Sequence, residues 1–181
     1  MMEVRLKDLL NSFSNELCDR TFIIKYKVDN ELKIRFYRED LCHLLGIQHV
    51  FDRDKHYLGK KGYDKINSEE LTISNLKLHN KKGYNFIKNR ILYFWKIKEV
   101  VTEGKLLKFY EERVKKGTLI KADFALYKNE EEFIFHLFLK KGNDFYSPIS
   151  FIPVSVNDDE SKKYIELQEK KIITDCIEVH D

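Results

Sequence analysis

The sequence FYREDLCHLLGI, residues 36–47, is the stretch that most strongly indicates the fold. A strand-like run ends with its first two residues, and a short apolar segment begins at Leu41. Gly46 ends that segment, as expected of a residue that tolerates a positive φ at the end of a helix. His43 lies inside it. Two interpretations stay open for this histidine: a core side chain bonded to a backbone carbonyl, or a functional group.

Composition predicts a single domain over residues 1–181. The chain has 181 residues, of which 43% are hydrophobic and 13% aromatic, enough to build one core. Two prolines and seven glycines leave no room for a long flexible linker. Many of the 13 phenylalanines and 10 tyrosines stand at alternate positions, which favours β-sheet.

The sequence shows no sign of a membrane segment, a secretory signal or a disulfide framework. No apolar run approaches the roughly 18 residues that a membrane span requires. The N-terminus is charged and lacks the apolar stretch of a signal peptide. The cysteines are too few and too widely spaced for a disulfide framework or a zinc site; they are Cys18, Cys42 and Cys176. We therefore expect a cytoplasmic protein with no membrane partner.

Charge is distributed unevenly along the chain. Residues 56–121 carry sixteen lysines and arginines against seven acids, whereas residues 129–181 carry six against twelve. A basic middle and an acidic end are consistent with one face that attracts polyanions and another that repels them. The alternative is that the lysines only solvate helix surfaces.

Hydrophobic periodicity predicts the elements of the first half of the chain. A helix is expected over residues 3–17 and a β-hairpin over 21–37, with a turn at Asp29-Asn30. A short helix around His43 follows. The remaining expectations are a loop over 50–66, a helix that begins at Ser68 with Ser68 or Asn67 as its N-cap, and a longer helix over 84–101 that Gly83 separates from it.

Two cations lie in or beside the apolar face of the helix expected over 84–101. A helical wheel places Tyr84, Ile87 and Ile91 in one arc, and Arg90 and Lys98 fall inside or next to it. Such side chains either extend past the edge of the core or point into a cleft. Arg90 has less room to extend to solvent because it lies in the middle of the helix.

The second half of the chain alternates with a period of two. Strands are expected near 105–110, over 118–128 and 133–140, over 145–154 and near 171–179. Short connections imply antiparallel neighbours. We therefore predict an α+β fold in which N-terminal helices and a β-hairpin pack on a C-terminal antiparallel sheet of about four strands. The single domain then consists of an N-terminal helix (1–20), the hairpin and helices (21–104) and the sheet (105–181).

The motifs that the sequence lacks narrow the chemistry. It has no phosphate-binding glycine loop, no paired cysteines, no metal-binding histidine pattern and no serine-nucleophile motif, so we expect no metal and no cofactor. Cleavage of RNA without a metal needs a base for the 2′-hydroxyl, an acid for the leaving oxygen and a cation for the phosphorane. Lys121, Asp123 and Tyr127 share the predicted face of one strand, and His136 and Ser150 lie on the next two. Each has a structural alternative as an ordinary surface or packing residue.

The ordered segments resemble one known family, the phage-type barnase–EndoU–colicin–RelE-like (BECR) nucleases of mobile elements. The resemblance covers roughly residues 20–180. It rests on HLLG at 43–46, the helix that bears Arg90, TLIKADFALYK at 118–128 and YSPISF at 146–151. It implies helices packed on a four-stranded antiparallel sheet and metal-independent cleavage of RNA. The implied site residues are His43, Arg90, Lys121, Tyr127 and Ser150.

Two hypotheses for function follow. The first is a metal-independent endoribonuclease of phage, mobile-element or toxin origin that acts on RNA by 2′-hydroxyl transesterification. His43 is its acid or base, Arg90 and Lys121 stabilise the phosphate, and Tyr127 and Ser150 orient the substrate. Five lysines attract the RNA backbone; they are Lys81, Lys82, Lys88, Lys115 and Lys116.

The second hypothesis is a catalytically silent module that binds RNA or a protein. In this case the partner is a cognate inhibitor or a host defence complex, and the acidic end of the chain engages a basic groove on it. The uneven charge distribution fits both hypotheses.

Overall fold

The computed structural model describes residues 4–180, and its elements are divided between two units. Residues 4–19 and 36–95 form the first, which we call the helical unit. Residues 20–35 and 96–180 form the second, the sheet unit. The single domain expected over 1–181 stays a prediction, and its first three residues and its last lie outside the described range.

The helical unit buries an apolar face from each of its main elements. Its α-helices, counted within the described residues, are α1 Leu6–Glu16, α2 Asp40–Leu45, α3 Gly59–Asn67, α4 Ile73–His79 and α5 Lys81–Leu92. α1 buries Leu6, Leu10 and Phe13, and the Phe13 ring lies 5.9 Å from that of Phe94. α1 confirms the predicted N-terminal helix, although residue 3, its predicted start, lies outside the described residues.

The loop predicted over 50–66 is wrong in its second half, and so is the helix predicted from Ser68. Gly62 falls within that predicted loop but lies inside α3, where a Cβ atom would stand 2.3 Å from the Tyr57 carbonyl oxygen. The glycine therefore permits a close approach of the two segments. Ser68 is the C-cap of α3. α4 begins after Thr72, which forms a capping box with Asn75.

The single helix predicted over 84–101 is also wrong, because the chain forms two helices there. Gly83 lies within α5 and does not separate it from the helix before, since Asn80 caps α5 by accepting a bond from the Gly83 amide. α5 ends at Leu92, and α6 spans Lys96–Glu103. The interruption coincides with the passage from the helical unit to the sheet unit.

The sheet unit is built on one eight-stranded sheet within residues 4–180. Its strands are β1 Arg20–Tyr26, β2 Asn30–Arg35, β3 Lys105–Lys108, β4 Phe124–Asn129, β5 Phe133–Lys141, β6 Tyr146–Ser155, β7 Glu169–Lys171 and β8 Ile173–His180. Their order across the sheet is β7-β3-β4-β5-β6-β2-β1-β8. Neighbours are antiparallel except β2 and β6, which pair in parallel at Ile34 and Tyr146.

The predicted α+β class is confirmed, but the predicted sheet of about four strands is too small. The predicted β-hairpin forms as β1 and β2, yet it does not pack on the sheet as a separate layer. It extends the sheet, because β2 pairs with β6 and β1 pairs with β8. These pairings join segments more than 100 residues apart in the chain, and strand periodicity carries no information about such partners.

Both faces of the central strands are covered. α6 packs against β4 and β5 on one side. On the other side, Ala125 and Phe138 form a buried cluster with Phe109 and Tyr164 from the segments flanking the strands. The strand predicted over 118–128 is confirmed only from Phe124 onward, so the residues before it belong to an irregular segment that covers the second face.

Candidate active site

The α2 helix presents His43 to solvent. The four apolar side chains around His43 in sequence are fully buried, whereas His43 is exposed; they are Leu41, Cys42, Leu44 and Leu45. The interpretation of His43 as a core histidine bonded to a carbonyl is therefore wrong, because a six-residue helix can bury one face and expose the opposite one.

Gly46 turns the chain so that a second histidine follows close by. Its φ of 83° is in the left-handed region and ends α2, as predicted. A short 3-10 turn, Ile47–His49, comes next and buries Ile47. His49, at its end, is exposed like His43.

Arg90 lies beneath this turn. Its exposure is only 6%, which confirms the prediction that it faces inward from its helix. A Cβ atom at Gly46 would stand 3.1 Å from Arg90 Cδ and 2.7 Å from Ile87 Cγ2. The absence of a side chain at Gly46 therefore lets α5 bring a guanidinium directly against the turn that carries the two histidines.

Phe86, one turn before Arg90 on α5, completes the cluster. The His49 and Phe86 rings meet edge to face with centroids 4.9 Å apart. The Arg90 guanidinium carbon lies 5.9 Å from the Phe86 centroid. The start of α5 is held against the same turn, because a Cβ at Gly83 would lie 2.5 Å from the His49 carbonyl oxygen.

Both histidines favour the neutral state. Partial burial lowers the pKa of His43 from its usual value near 6.5, and the charges of Arg90 and Arg53 lower it further. Partial burial is also the largest cause that lowers the pKa of His49, and the charges of Arg90, His43 and Arg53 lower it further. Neutral imidazoles can accept a proton at pH 7. A bound phosphate would offset the arginine charges and raise both pKa values, so that one imidazole can then hold a proton.

Cys42, next to His43 in sequence, is not available as a nucleophile. It is fully buried, and burial raises the pKa of its thiol to about 12. Any acid–base chemistry here therefore rests on the imidazoles and the arginines. We call the whole group the His43–Arg90 cluster; it consists of His43, His49, Arg53, Phe86 and Arg90.

The other predicted site residues lie in the sheet unit. Lys121 is exposed on the irregular segment before β4, so it does not share a strand face with Tyr127. Tyr127 is buried on β4, opposite His136 of β5. Ser150 lies on β6, opposite Phe138. Tyr127 and Ser150 are on the same face but two strands apart and two residues out of register, roughly 12 Å, so the sheet does not bring them together.

Tyr127 lines a pocket of about 340 Å³ at the edge of the sheet. Leu106 and Ile173 give it apolar walls, and Lys105 and Lys170 lie at its rim. Burial raises the pKa of Tyr127 above its usual value, so the phenol is a proton donor at neutral pH.

His136 is a structural histidine. It is completely buried, and its Nδ1–H donates to the Ile152 carbonyl oxygen at 3.1 Å. Burial lowers its pKa to about 4. Of the two structural alternatives for His136, a surface residue is therefore wrong, and the histidine is a packing residue.

The five lysines proposed to attract RNA are all exposed. Lys81, Lys82 and Lys88 lie on α5 of the helical unit. In the sheet unit, Lys115 pairs with Glu166 at 2.9 Å and Lys116 with Glu160 at 2.6 Å. Their role in binding stays a prediction.

Sequence reasoning missed His49, Arg53 and Phe86. His49 was tested only against metal-binding histidine patterns, which it does not fit. The available signal for the neighbourhood of His49 was Gly46, because a residue that ends α2 with a positive φ lets the chain turn between the two histidines. The neighbour Phe86 has no local signal, since it lies 37 residues from His49 in the chain.

The family to which the chain belongs follows from comparison with known proteins. The family model described as phage-Barnase-EndoU-ColicinE5/D-RelE like nuclease4 matches residues 5–178. The chain belongs to this family. The resemblance inferred from the sequence segments is confirmed, and membership makes nuclease activity the expected function. No curated protein and no solved structure gives a significant match to the chain.

Two negative observations apply to residues 4–180. In that range no three His, Cys, Asp or Glu side chains come together in a way that could hold a metal ion. No helix there is both long and apolar enough to cross a membrane.

Proposed function

We propose that the protein is a metal-independent endoribonuclease and that the His43–Arg90 cluster is its acid–base site. The observation that carries the proposal is the placement of two exposed, neutral imidazoles on either side of Gly46, above a buried arginine. Membership of a nuclease family supplies the reaction class. The proposal extends to RNA as substrate and to a phage or mobile-element origin.

The reaction needs one proton removed and one supplied. A neutral imidazole takes the proton of the 2′-hydroxyl, whose oxygen attacks the adjacent phosphorus. The bond from phosphorus to the 5′-oxygen breaks, and the second imidazole, protonated in the complex, gives its proton to that oxygen. The products are a 2′,3′-cyclic phosphate and a 5′-hydroxyl end. His43 and His49 supply the two functions.

Arg90 and Arg53 stabilise the charge that builds on the phosphorane. Arg90 is held in a nearly buried position by its packing against Gly46, so its charge is fixed in place before the substrate binds. Arg53 is exposed and free to follow the phosphate. The acid–base pair and the cations are the three groups that the chemistry requires.

Cleavage of RNA in the presence of EDTA tests the proposal. His43→Ala and His49→Ala each remove an exposed side chain, so folding is expected to be unaffected while the rate falls by about 10²- to 10⁴-fold. His180→Ala, at an exposed histidine of the sheet unit, is the matched control and should leave the rate unchanged. Cleavage that is abolished by EDTA, or that is unchanged in both His43 and His49 variants, contradicts the proposal.

The same cleavage assay tests the roles predicted for Lys121, Tyr127 and Ser150. The variants are Lys121→Ala, Tyr127→Phe and Ser150→Ala. Binding of RNA by the wild-type protein without any cleavage would instead favour the catalytically silent alternative.

A further inference from the structure

Phe86 is an exposed aromatic side chain at the edge of the proposed active site. It is 65% exposed, although the next residue, Ile87, is fully buried on the other face of α5. Core packing therefore does not account for a phenylalanine at this position, and an exposed ring of this size leaves apolar surface in water. Its immediate neighbours are His49 and Arg90.

The contacts of Phe86 fix the ring without covering it. His49 meets it edge to face at 4.9 Å, and the Arg90 guanidinium carbon stands 5.9 Å from its centroid. Most of the ring surface stays open to solvent. Lys82, one turn earlier on the same side of α5, is also exposed and adds positive charge beside the ring.

We propose that Phe86 is the stacking platform for an unpaired base next to the scissile phosphate, and hence that the substrate is single-stranded at the point of cleavage. This inference rests on the proposed ribonuclease function. A base stacked on Phe86 places its phosphate beside His49 and Arg90, where the acid–base groups are. Aromatic side chains bind successive bases of single strands in this way.

The requirement for a single strand follows from the geometry of RNA helices. In an A-form duplex both faces of every base are covered by their neighbours, and the base edges are paired. A base can lie on Phe86 only after it has left that stack. Loops, bulges and single strands therefore fit the site, and the interior of a perfect duplex does not.

The test compares one RNA sequence as a single strand and as a perfect duplex. We expect the wild-type protein to cleave the single strand at least tenfold faster. Phe86→Ala should lose activity on the single strand on the order of tenfold or more, mainly through KM, while Phe86→Trp should retain it. Leu92→Ala, which removes another exposed apolar side chain from the same helix, is the matched control and should change nothing.

A binding measurement keeps this inference separate from the proposed function. Fluorescence anisotropy with a 2′-O-methyl oligonucleotide, which cannot react, reports affinity even if no RNA is cleaved. Weaker binding by Phe86→Ala, together with weaker binding of an oligonucleotide that has an abasic position, supports the platform whatever the activity. Equal binding and cleavage by wild type and Phe86→Ala, or equal cleavage of strand and duplex, overturns it and leaves Phe86 as a surface for a protein partner.

Discussion

Gly46 packs directly against the Arg90 side chain: a Cβ atom at Gly46 would lie 3.1 Å from Arg90 Cδ, and Gly46 itself has a φ of 83°. Two requirements therefore meet at this residue. The backbone conformation favours glycine because a side chain is strained there, and the packing of α5 leaves no volume for a methyl group. The position of the proposed phosphate-binding arginine depends on both.

Gly46→Ala is therefore expected to lower the free energy of unfolding by about 2–3 kcal/mol, because strain adds to overpacking. Gly59→Ala is the matched control in the same unit, since Gly59 also has a positive φ, of 55°, but nothing lies within 4 Å of its Cβ position. It should cost only about 1 kcal/mol. Denaturant unfolding measures both values. Equal losses in the two variants would show that the packing of Ile87 and Arg90 against Gly46 carries no energy.

The two exposed histidines should titrate below an unperturbed histidine. Partial burial and the charges of the neighbouring arginines lower the pKa of His43 and of His49. The acid limb of the pH profile of kcat/KM should therefore have its midpoint below 6.5. Arg53→Gln removes one cause, and both pKa values should then rise. Lys60→Gln, at an exposed lysine paired with Asp64, is the control. NMR titration of the imidazole signals gives the values directly. An Arg53→Gln titration that matches the wild type would mean that Arg53 does not act on the pair.

His136 makes the stability of the sheet unit depend on pH. Its pKa is about 4 in the folded protein, compared with about 6.5 in an unfolded chain, so the unfolded state binds the extra proton first as the pH falls. The contribution of His136 should be constant above pH 6.5 and should lower stability by about 1.4 kcal/mol per pH unit between 6.5 and 4, about 3 kcal/mol in all. Unfolding in denaturant at several pH values measures this slope.

His136→Gln keeps a donor for the Ile152 carbonyl but cannot be protonated, so its slope over this range should be smaller. His180→Gln, at an exposed histidine, should retain the wild-type slope. The assignment fails if the slope survives in His136→Gln.

Features of the fold that depend on residues close together in the sequence could be predicted, whereas features that depend on distant residues could not. Gly46 at the end of α2 and the inward-facing Arg90 follow from local spacing, and both predictions are confirmed. The partner of β1 could not be predicted in the same way, because β8 lies about 150 residues later and many registers satisfy an alternating pattern. The loop predicted over 50–66 failed at Gly62, because glycine is common in loops but also permits close packing within a helix.

The same distinction applies to the residues of the candidate site. His43 and Arg90 could be identified as unusual from their own helices. The contact between His49 and Phe86 depends on how α5 packs on the turn after Gly46, and the spacing of residues in the sequence does not predict that packing.

The ion pair between Lys128 and Glu99 joins β4 to α6 and should contribute measurably to stability. Lys128 Nζ lies 2.7 Å from Glu99 Oε2 and also 2.7 Å from Glu103 Oε2, and the side chains of Lys128 and Glu99 are 21% and 31% exposed. Exposed Lys60 and Asp64 make a pair of the same 2.7 Å length on α3, with side chains 83% and 55% exposed. Distance is thus matched between the two pairs, whereas solvent access differs and Glu99 also pairs with Lys96 at 3.0 Å.

A double-mutant cycle on each pair, with alanine at each position, separates these effects. Because water screens the exposed pair, its coupling energy should be about 0.3–0.5 kcal/mol, whereas the Lys128–Glu99 coupling should be about 1 kcal/mol. Raising the salt concentration to about 1 M should weaken the Lys60–Asp64 coupling proportionally more. Equal couplings would mean that partial burial does not strengthen the Lys128–Glu99 pair.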